Sequence, residues 1–258
     1  MPVLTPRTAH VARRRLTLSQ NFLHHAPSIR TIVHASGVRP GALVVEPGAG
    51  EGHLSRALAA TAGRVIAYEI DRTLAGRFPA HPRIRLVQGD FLRATPPREP
   101  FAVVGNIPYS RTTDIVRWCL AAPHLTSATL LTQLEYARKR TGDFGSWPLL
   151  TVRNWPRYAW RLGPRIHRRH FVPVPRTDSA VLHLDRRDRP LLPAAELEAY
   201  GAFVDLGFTG RGGSLHATLT HHYGRRRTRT RTLDLDPALP CGRVPPERWL
   251  RLYRELAH

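Results

Sequence analysis

The chain has 258 residues, 42% of them hydrophobic, which is enough for one large domain with an appendage and a sizeable core. No stretch approaches the roughly 20 apolar residues of a membrane span, and the basic N-terminus lacks the apolar segment of a secretory signal. Cys119 and Cys241 show neither metal nor redox spacing, and the 14 histidines form no H-x-x-x-H pattern, so a metal-free, cytoplasmic protein is expected; a monomer is expected as well.

Charge is more specific. Lys+Arg number 39 against 19 Asp+Glu, a formal charge of +20, and Lys139 is the one lysine. Such an excess predicts a polyanionic partner, because each neutralised phosphate releases counterions. Guanidinium groups also fork onto phosphates and stack on bases. Nucleic acid fits better than a membrane surface, since no basic amphipathic helix with a wide apolar face is evident. The alternative is a plain solvated basic surface.

In chain order, residues 1–18 hold Arg13-Arg14-Arg15 and read as a basic arm for nucleic acid. Ser19-Gln20-Asn21-Phe22-Leu23 precedes a helix expected from about Ser28 to Ala35 and stopped by Gly37. A buried strand, Ala42 to Val45, then runs into Glu46-Pro47-Gly48-Ala49-Gly50-Glu51-Gly52 and a helix to about Ala62. Strand, glycine turn and helix bring backbone amides close to a ligand, and glycine permits the approach because it has no Cβ. The carboxylate of Glu46 predicts a cationic ligand over a phosphate.

The next strand, Arg64 to Tyr68, ends at Glu69-Ile70-Asp71, where an acid about 20 residues beyond the glycines is placed for a ribose diol. Asp71 serves equally well as a helix N-cap. Arg83 to Val87 forms a third strand ending at Gly89-Asp90-Phe91, with Asp90 placed to accept from an adenine amine and Phe91 or Ile70 packing on the ring. A fourth, Phe101 to Val104, leads to Asn106-Ile107-Pro108-Tyr109. The tetrapeptide offers an amide, a carbonyl and an aromatic ring, which suit an exocyclic amine on a flat heterocycle. Alone it also fits a strand followed by a Pro-containing turn. Four strands delivering polar residues at their carboxyl ends favour a small-molecule site.

A helix from Thr112 to Leu120, a strand from Ala128 to Leu134 and a helix from Glu135 to Thr141 with Arg138, Lys139 and Arg140 continue the alternation. Residues 143–170 read as looser, with interleaved Trp and Arg that fit either a nucleic-acid surface or core. Phe171-Val172-Pro173-Val174-Pro175 is a stiff extended segment, and Ser179 to Leu184 a last strand. Residues 185–190 read as a linker. Beyond it the period becomes helical, with Trp249, Leu252, Tyr253 and Leu256 on one face. The run Arg225-Arg226-Arg227-Thr228-Arg229-Thr230-Arg231-Thr232 reads as a flexible basic loop for sequence-independent phosphate contact.

Taken in order, Gln20-Asn21-Phe22-Leu23, Glu46-x-Gly48-x-Gly50, Glu69-Ile70-Asp71, Gly89-Asp90, Asn106-Ile107-Pro108-Tyr109 and Phe171-x-Pro173-x-Pro175-x-x-Asp178-Ser179 resemble the adenosine N6-dimethyltransferases of ribosomal RNA. Ile107, the Gln133 to Arg140 segment and the Trp-rich stretch resemble the Erm-type branch, which confers macrolide, lincosamide and streptogramin B resistance. The alternatives are the housekeeping small-subunit branch and a non-catalytic RNA-binding factor on the same scaffold. Thr177 stands where the family usually has valine, and the Arg225–Thr232 run is more basic than the family's pattern.

The resemblance implies an α/β fold: a Rossmann-like methyltransferase domain over residues 1–186 and a small α-helical RNA-binding domain over 187–258. It implies S-adenosylmethionine as donor, with S-adenosylhomocysteine as product, no metal, and ribosomal RNA as partner. Asn21, Leu23, Gly48, Glu69, Asp90 and Asn106 are the expected donor-binding residues, joined from the strand-end reading by Gly50, Ile70 and Phe91. The Asn106 side-chain oxygen and the Ile107 or Pro108 carbonyl are expected to hold the target amine, and Tyr109 and Phe171 to stack on its base. Arg13, Arg14, Arg15, Arg138, Lys139, Arg140, Arg225, Arg226, Arg227 and Arg229 are expected on the RNA.

Overall fold

The structure is a computed structural model that describes residues 21–232 and 235–256. The expected arm with Arg13-Arg14-Arg15 lies outside the described residues. Strand β1 (Phe22–Leu23) leads into helix α1 (Ala26–Ser36), which ends where Gly37 takes a left-handed conformation. Strand β2 (Leu43–Pro47) is buried along its whole length, as a central parallel strand covered on both faces should be. After the glycine turn come α2 (His53–Thr61), β3 (Arg64–Glu69), the one-turn α3 (Arg72–Ala75) and β4 (Ile84–Gln88). Strand β5 (Phe101–Asn106), α4 (Thr112–Ala121) and β6 (Leu125–Gln133) follow.

Further on lie α5 (Leu134–Arg140), α6 (Leu149–Asn154), β7 (Tyr158–Ile166), β8 (Phe171–Val172) and β9 (Ser179–Arg186). The looser segment expected at 143–170 is therefore partly regular, and β9 runs through the start of the expected linker. The C-terminal helices are α7 (Leu197–Gly207), α8 (Leu215–Tyr223), α9 (Arg225–Arg231) and α10 (Pro246–Leu256).

Seven strands form one sheet in the order β4-β3-β2-β5-β6-β9-β7, and the first five are parallel. The chain leaves β2 to build β3 and β4 on one side, then returns to place β5 and β6 on the other. The strand order therefore reverses at β2 and β5, and the crevice beyond their carboxyl ends is where open α/β sheets bind ligands. Strand β1 pairs antiparallel with β8, joining Leu23 to Phe171.

The chain forms two compact units. One runs to Ala137 and resumes over Leu162–Leu184. Its core gathers Ile29, Ile32, Val44, Leu58, Val65, Val104, Leu131, Phe171 and Val181. The other comprises Arg138–Arg161 and the chain from Asp185. Its core is built on Tyr200, Phe203, Leu215, Trp249 and Tyr253, with Val152 buried among them. Residues 138–161, assigned from the sequence to the first domain, thus group with the C-terminal helices. Their tryptophans pack: Trp160 is buried, and Trp147 and Trp155 meet edge to face at 5.5 Å against the second core. Among the described residues no helix is long and apolar enough to cross a membrane.

The run 225–232 departs most from expectation. Residues Arg225–Arg231 form α9, which packs on α8 and α10. Thr228 and Thr232 are four residues apart, so they share a helix face, and both are buried. The Thr232 hydroxyl donates to the Thr228 carbonyl at 3.0 Å and lies 2.8 Å from His216 Nδ1. Arg225, Arg226, Arg227 and Arg229 remain exposed.

Candidate functional site at the carboxyl edge of the sheet

The glycine turn leaves β2 at the reversal of strand order. Gly48, Gly50 and Gly52 all have positive φ, at 72°, 56° and 76°, where a Cβ is strained. Their missing side chains serve different ends. A Cβ on Gly52 would lie 2.8 Å from the Phe78 ring, and one on Gly50 would lie 3.2 Å from the Phe22 ring, so both make room for packing. A Cβ on Gly48 would meet nothing closer than Pro108 Cδ at 3.8 Å, and Gly48 borders three cavities at this edge.

The first cavity, of about 160 Å³, is bordered by Pro47, Tyr68, Ile70, Phe91, Pro108 and Ile115, with Asp90 as its one acid. Asp90 Oδ1 accepts the Leu92 amide at 3.0 Å and caps a short turn, while Asp90 Oδ2 leaves the residue further acceptor capacity. Phe91 is buried edge-on to Tyr68 and 4.3 Å from Trp118, whereas Ile70 is half exposed. The second cavity touches Phe22, Leu23, Gly50 and Asn106, and the third touches Asn21, Gly50, Glu69, Asn106, Ile107 and Pro108.

Glu69 is buried, and its two oxygens accept the Gly50 amide at 2.7 Å and the Asp71 amide at 2.8 Å. Burial pushes its carboxyl up, opposed by these backbone amides. It thus shapes the glycine turn as well as facing the third cavity. Asp71 does what the alternative reading expected, capping α3 through the Thr73 and Leu74 amides.

Glu46 corrects an expectation. It is 1% exposed, accepts the Ser55 hydroxyl, and burial pushes its carboxyl up to about 8. At neutral pH it is mainly the uncharged acid, so it does not favour a cationic ligand by charge.

Asn106 closes β5. Its side-chain amide donates to the Asn21 backbone carbonyl at 2.8 Å, which leaves Oδ1 as an acceptor. Ile107 is buried. The Pro108 carbonyl accepts the Arg111 amide at 3.0 Å and so closes the turn after the strand. Tyr109 is half buried, its hydroxyl 2.7 Å from that of Ser179.

Phe171 is a second correction. Its ring has 0% exposure and belongs to the core, with its backbone paired to Leu23, so it offers no free face to a base. Among the expected RNA contacts, Arg138 is held by Asp143 and lies 4.4 Å from the Phe144 ring, while Lys139 is exposed.

Three groupings had no role assigned from the sequence. Tyr68 and Arg111 border the first cavity, and only the folded sheet brings them there. Ser179 closes a recognised motif without an assigned role. His24, Glu51 and His53 converge, with Glu51 Oε2 3.3 Å from His53 Nε2 and 3.9 Å from His24 Nδ1. Arg56 lies 3.0 Å from His53 Nδ1, and a cation there opposes a metal.

Residues 11–258 match the family model described as Ribosomal RNA adenine dimethylase. The chain is 52% identical over 252 residues to the rRNA adenine N-6-methyltransferase of Streptomyces fradiae, covering 95% of this chain and 79% of that one. It is 34% identical over 256 residues to the mycinamicin-resistance protein MyrB of Micromonospora griseorubida, with 93% and 78% covered. The crystal structure of the 23S rRNA methyltransferase ErmE superposes with a TM-score of 0.86 at 46% identity, covering 92% of this chain and all of that one.

Proposed function

Because the chain belongs to the ribosomal RNA adenine dimethylase family, we propose that it methylates N6 of an adenosine in 23S ribosomal RNA and so confers resistance to macrolide, lincosamide and streptogramin B antibiotics. The observation that carries this reading is the Asn106–Tyr109 tetrapeptide, seated at the strand-order reversal beside the bare Cα of Gly48. The 46% identity to ErmE over nearly the whole fold supports the large-subunit target over the small-subunit one.

The residues fit S-adenosylmethionine. The first cavity pairs a mostly apolar wall with one acid, which suits adenine, and Gly48 leaves a cradle that a Cβ would narrow. Asp90 would accept the adenine amine, Ile70 and Phe91 would cover the ring, and Glu69 would accept a ribose hydroxyl on its remaining lone pairs. Asn21, Leu23 and Gly50 would line the remainder. When bound, the donor supplies a methyl group activated on a sulfonium.

The protein's own part is positioning. The N6 lone pair of adenine is delocalised into the ring and attacks poorly. Asn106 Oδ1 would accept one N–H of the target amine, and the bond to Asn21 keeps that oxygen in place. The Ile107 or the Pro108 carbonyl would accept the second, the Pro108 oxygen with the lone pair that the Arg111 amide leaves. Two acceptors draw the nitrogen towards tetrahedral geometry and localise its lone pair, an electrostatic and orientational effect. The target base must leave its stack to reach this edge, and Tyr109 would receive its face.

Exposed Arg225, Arg226, Arg227 and Arg229 on α9, with Lys139, would carry phosphate contacts, and residues 187–258 would serve chiefly to hold RNA. The protein would act as a monomer on cytoplasmic ribosomal RNA. The test offers the purified protein labelled S-adenosylmethionine with naked 23S rRNA and, separately, with immature small subunits. Label in N6-methylated adenosine of 23S rRNA is expected, and label in the small subunit alone overturns the reading.

A further inference from the structure

The pair Asp178-Ser179 ends the last recognised motif, yet the reaction as described does not use it. Ser179 is fully buried at the start of β9. A buried hydroxyl needs a partner within the protein, and here the Tyr109 hydroxyl lies 2.7 Å away. The residue before it is anchored at three points. The Asp178 backbone carbonyl accepts the Leu134 amide at 3.0 Å, and its carboxylate accepts the Arg168 amide at 2.9 Å and Arg165 Nε at 2.8 Å. Ser179 is thereby fixed to the start of α5, directly after β6, and to the turn preceding β8.

Tyr109 is held at its other end as well, where its backbone carbonyl accepts the Thr112 hydroxyl at 3.0 Å. Burial raises its phenol above the ordinary value, so the hydroxyl stays a neutral hydrogen-bonding group. A ring tethered at backbone and hydroxyl together has few rotamers left to lose on binding. Phe171, with no exposed ring surface, leaves Tyr109 to provide the aromatic face of the tetrapeptide.

We infer that Ser179 is a positioning residue for the target nucleoside: its hydroxyl holds the Tyr109 ring in one plane, so the stacking face is set before RNA arrives. This rests on reading Asn106–Tyr109 as the target-base site. A preset face spares the ordering cost of one side chain at binding. The effect therefore falls on capture of RNA, and the methyl donor, held by other residues, is untouched.

The test is a double-mutant cycle on methyl transfer to 23S rRNA with Ser179→Ala, Tyr109→Phe and both together. Each single change removes the same bond and keeps a ring at 109. Each is expected to raise KM for RNA about three- to tenfold, with kcat and donor affinity kept. The double variant should match the singles, because the second change has nothing left to remove. Ser179→Thr should restore the wild-type KM. NMR of ring-labelled tyrosine, which needs no RNA, should show faster ring reorientation of Tyr109 in Ser179→Ala.

Unchanged KM in both singles, or effects that multiply in the double variant, overturns the positioning role. If Ser179→Ala fails to fold, Tyr109→Phe tests the bond from its other end. If wild-type protein leaves 23S rRNA unmethylated, the site reading itself has failed, and an unchanged ring-motion signal then rejects the tether independently.

Discussion

The side-chain amide of Asn106 donates to the backbone carbonyl of Asn21, 85 positions earlier in the chain, at 2.8 Å. The bond ties the segment entering β1 to the carboxyl end of β5, and it fixes which face of the Asn106 amide is left as an acceptor. Replacing Asn106 by alanine removes both the tie and the acceptor. Methyl transfer should fall by about two to three orders of magnitude, as when one preorganised hydrogen-bonding group is lost at a reacting centre. Donor affinity should fall far less, because Asp90, Glu69 and the glycine turn remain. Single-turnover methylation and calorimetric titration of S-adenosylmethionine separate the two, and full turnover in the variant contradicts the role.

Glu69 accepts two backbone amides with two oxygens. Glutamine can accept with one oxygen only, so Glu69→Gln turns an NH2 donor towards either Gly50 or Asp71. A buried donor left facing a donor costs about 1–3 kcal/mol. The urea midpoint should drop accordingly, and donor affinity should weaken at least about tenfold as the turn loosens. An unchanged midpoint with weakened donor binding would confine Glu69 to the ligand.

Glu46 makes stability depend on pH in a definite direction. Its ordinary value is 4.5 and burial raises it to about 8 in the folded chain. Between those values the unfolded chain releases a proton that the folded chain keeps, so the Glu46 contribution to stability declines as pH rises. It is fully present below about 4.5 and fully lost above about 8. Glu46→Gln keeps an acceptor for Ser55 and has no proton to lose. The wild-type melting temperature should therefore fall, relative to that of the variant, from pH 5 to pH 8. Parallel curves would show that Glu46 titrates normally.

Arg225, Arg226, Arg227 and Arg229 stand out from a helix whose inner face is held by Thr228 and Thr232. Replacing the four arginines with alanine should leave the fold intact and weaken RNA binding at every sequence. The slope of log affinity against log salt should shrink by about 0.7–0.9 for every phosphate that is no longer neutralised. Filter binding across a potassium chloride series reads this directly. An unaltered slope would mean that α9 faces solvent in the complex.

The sheet and its polar carboxyl edge could be read from sequence because each parallel strand is an apolar run ending in a distinctive polar residue. Glu69, Asp90 and Asn106 needed only strand ends to be placed. Other features depend on burial, which local pattern does not encode. Phe171 has the same neighbours in sequence whether its ring faces a base or the core. Glu46 reads as a charge until its strand proves buried on both faces. Helix α9 was hidden because its inward face is made of threonines, so no apolar period marks it. Ser179 gains its partner from a residue 70 positions away.

Gly48 borders the three cavities described at the carboxyl edge of the sheet, and its φ of 72° disfavours any other residue whatever the space around it. With the donor and the target base seated as proposed, a bisubstrate inhibitor linking an adenosine moiety to a mimic of the methylated nucleoside would run its tether beside this bare Cα. Escape by mutation at the same point would be costly, because a side chain at this φ strains the backbone and, in the proposed arrangement, would crowd donor and target base along with the drug.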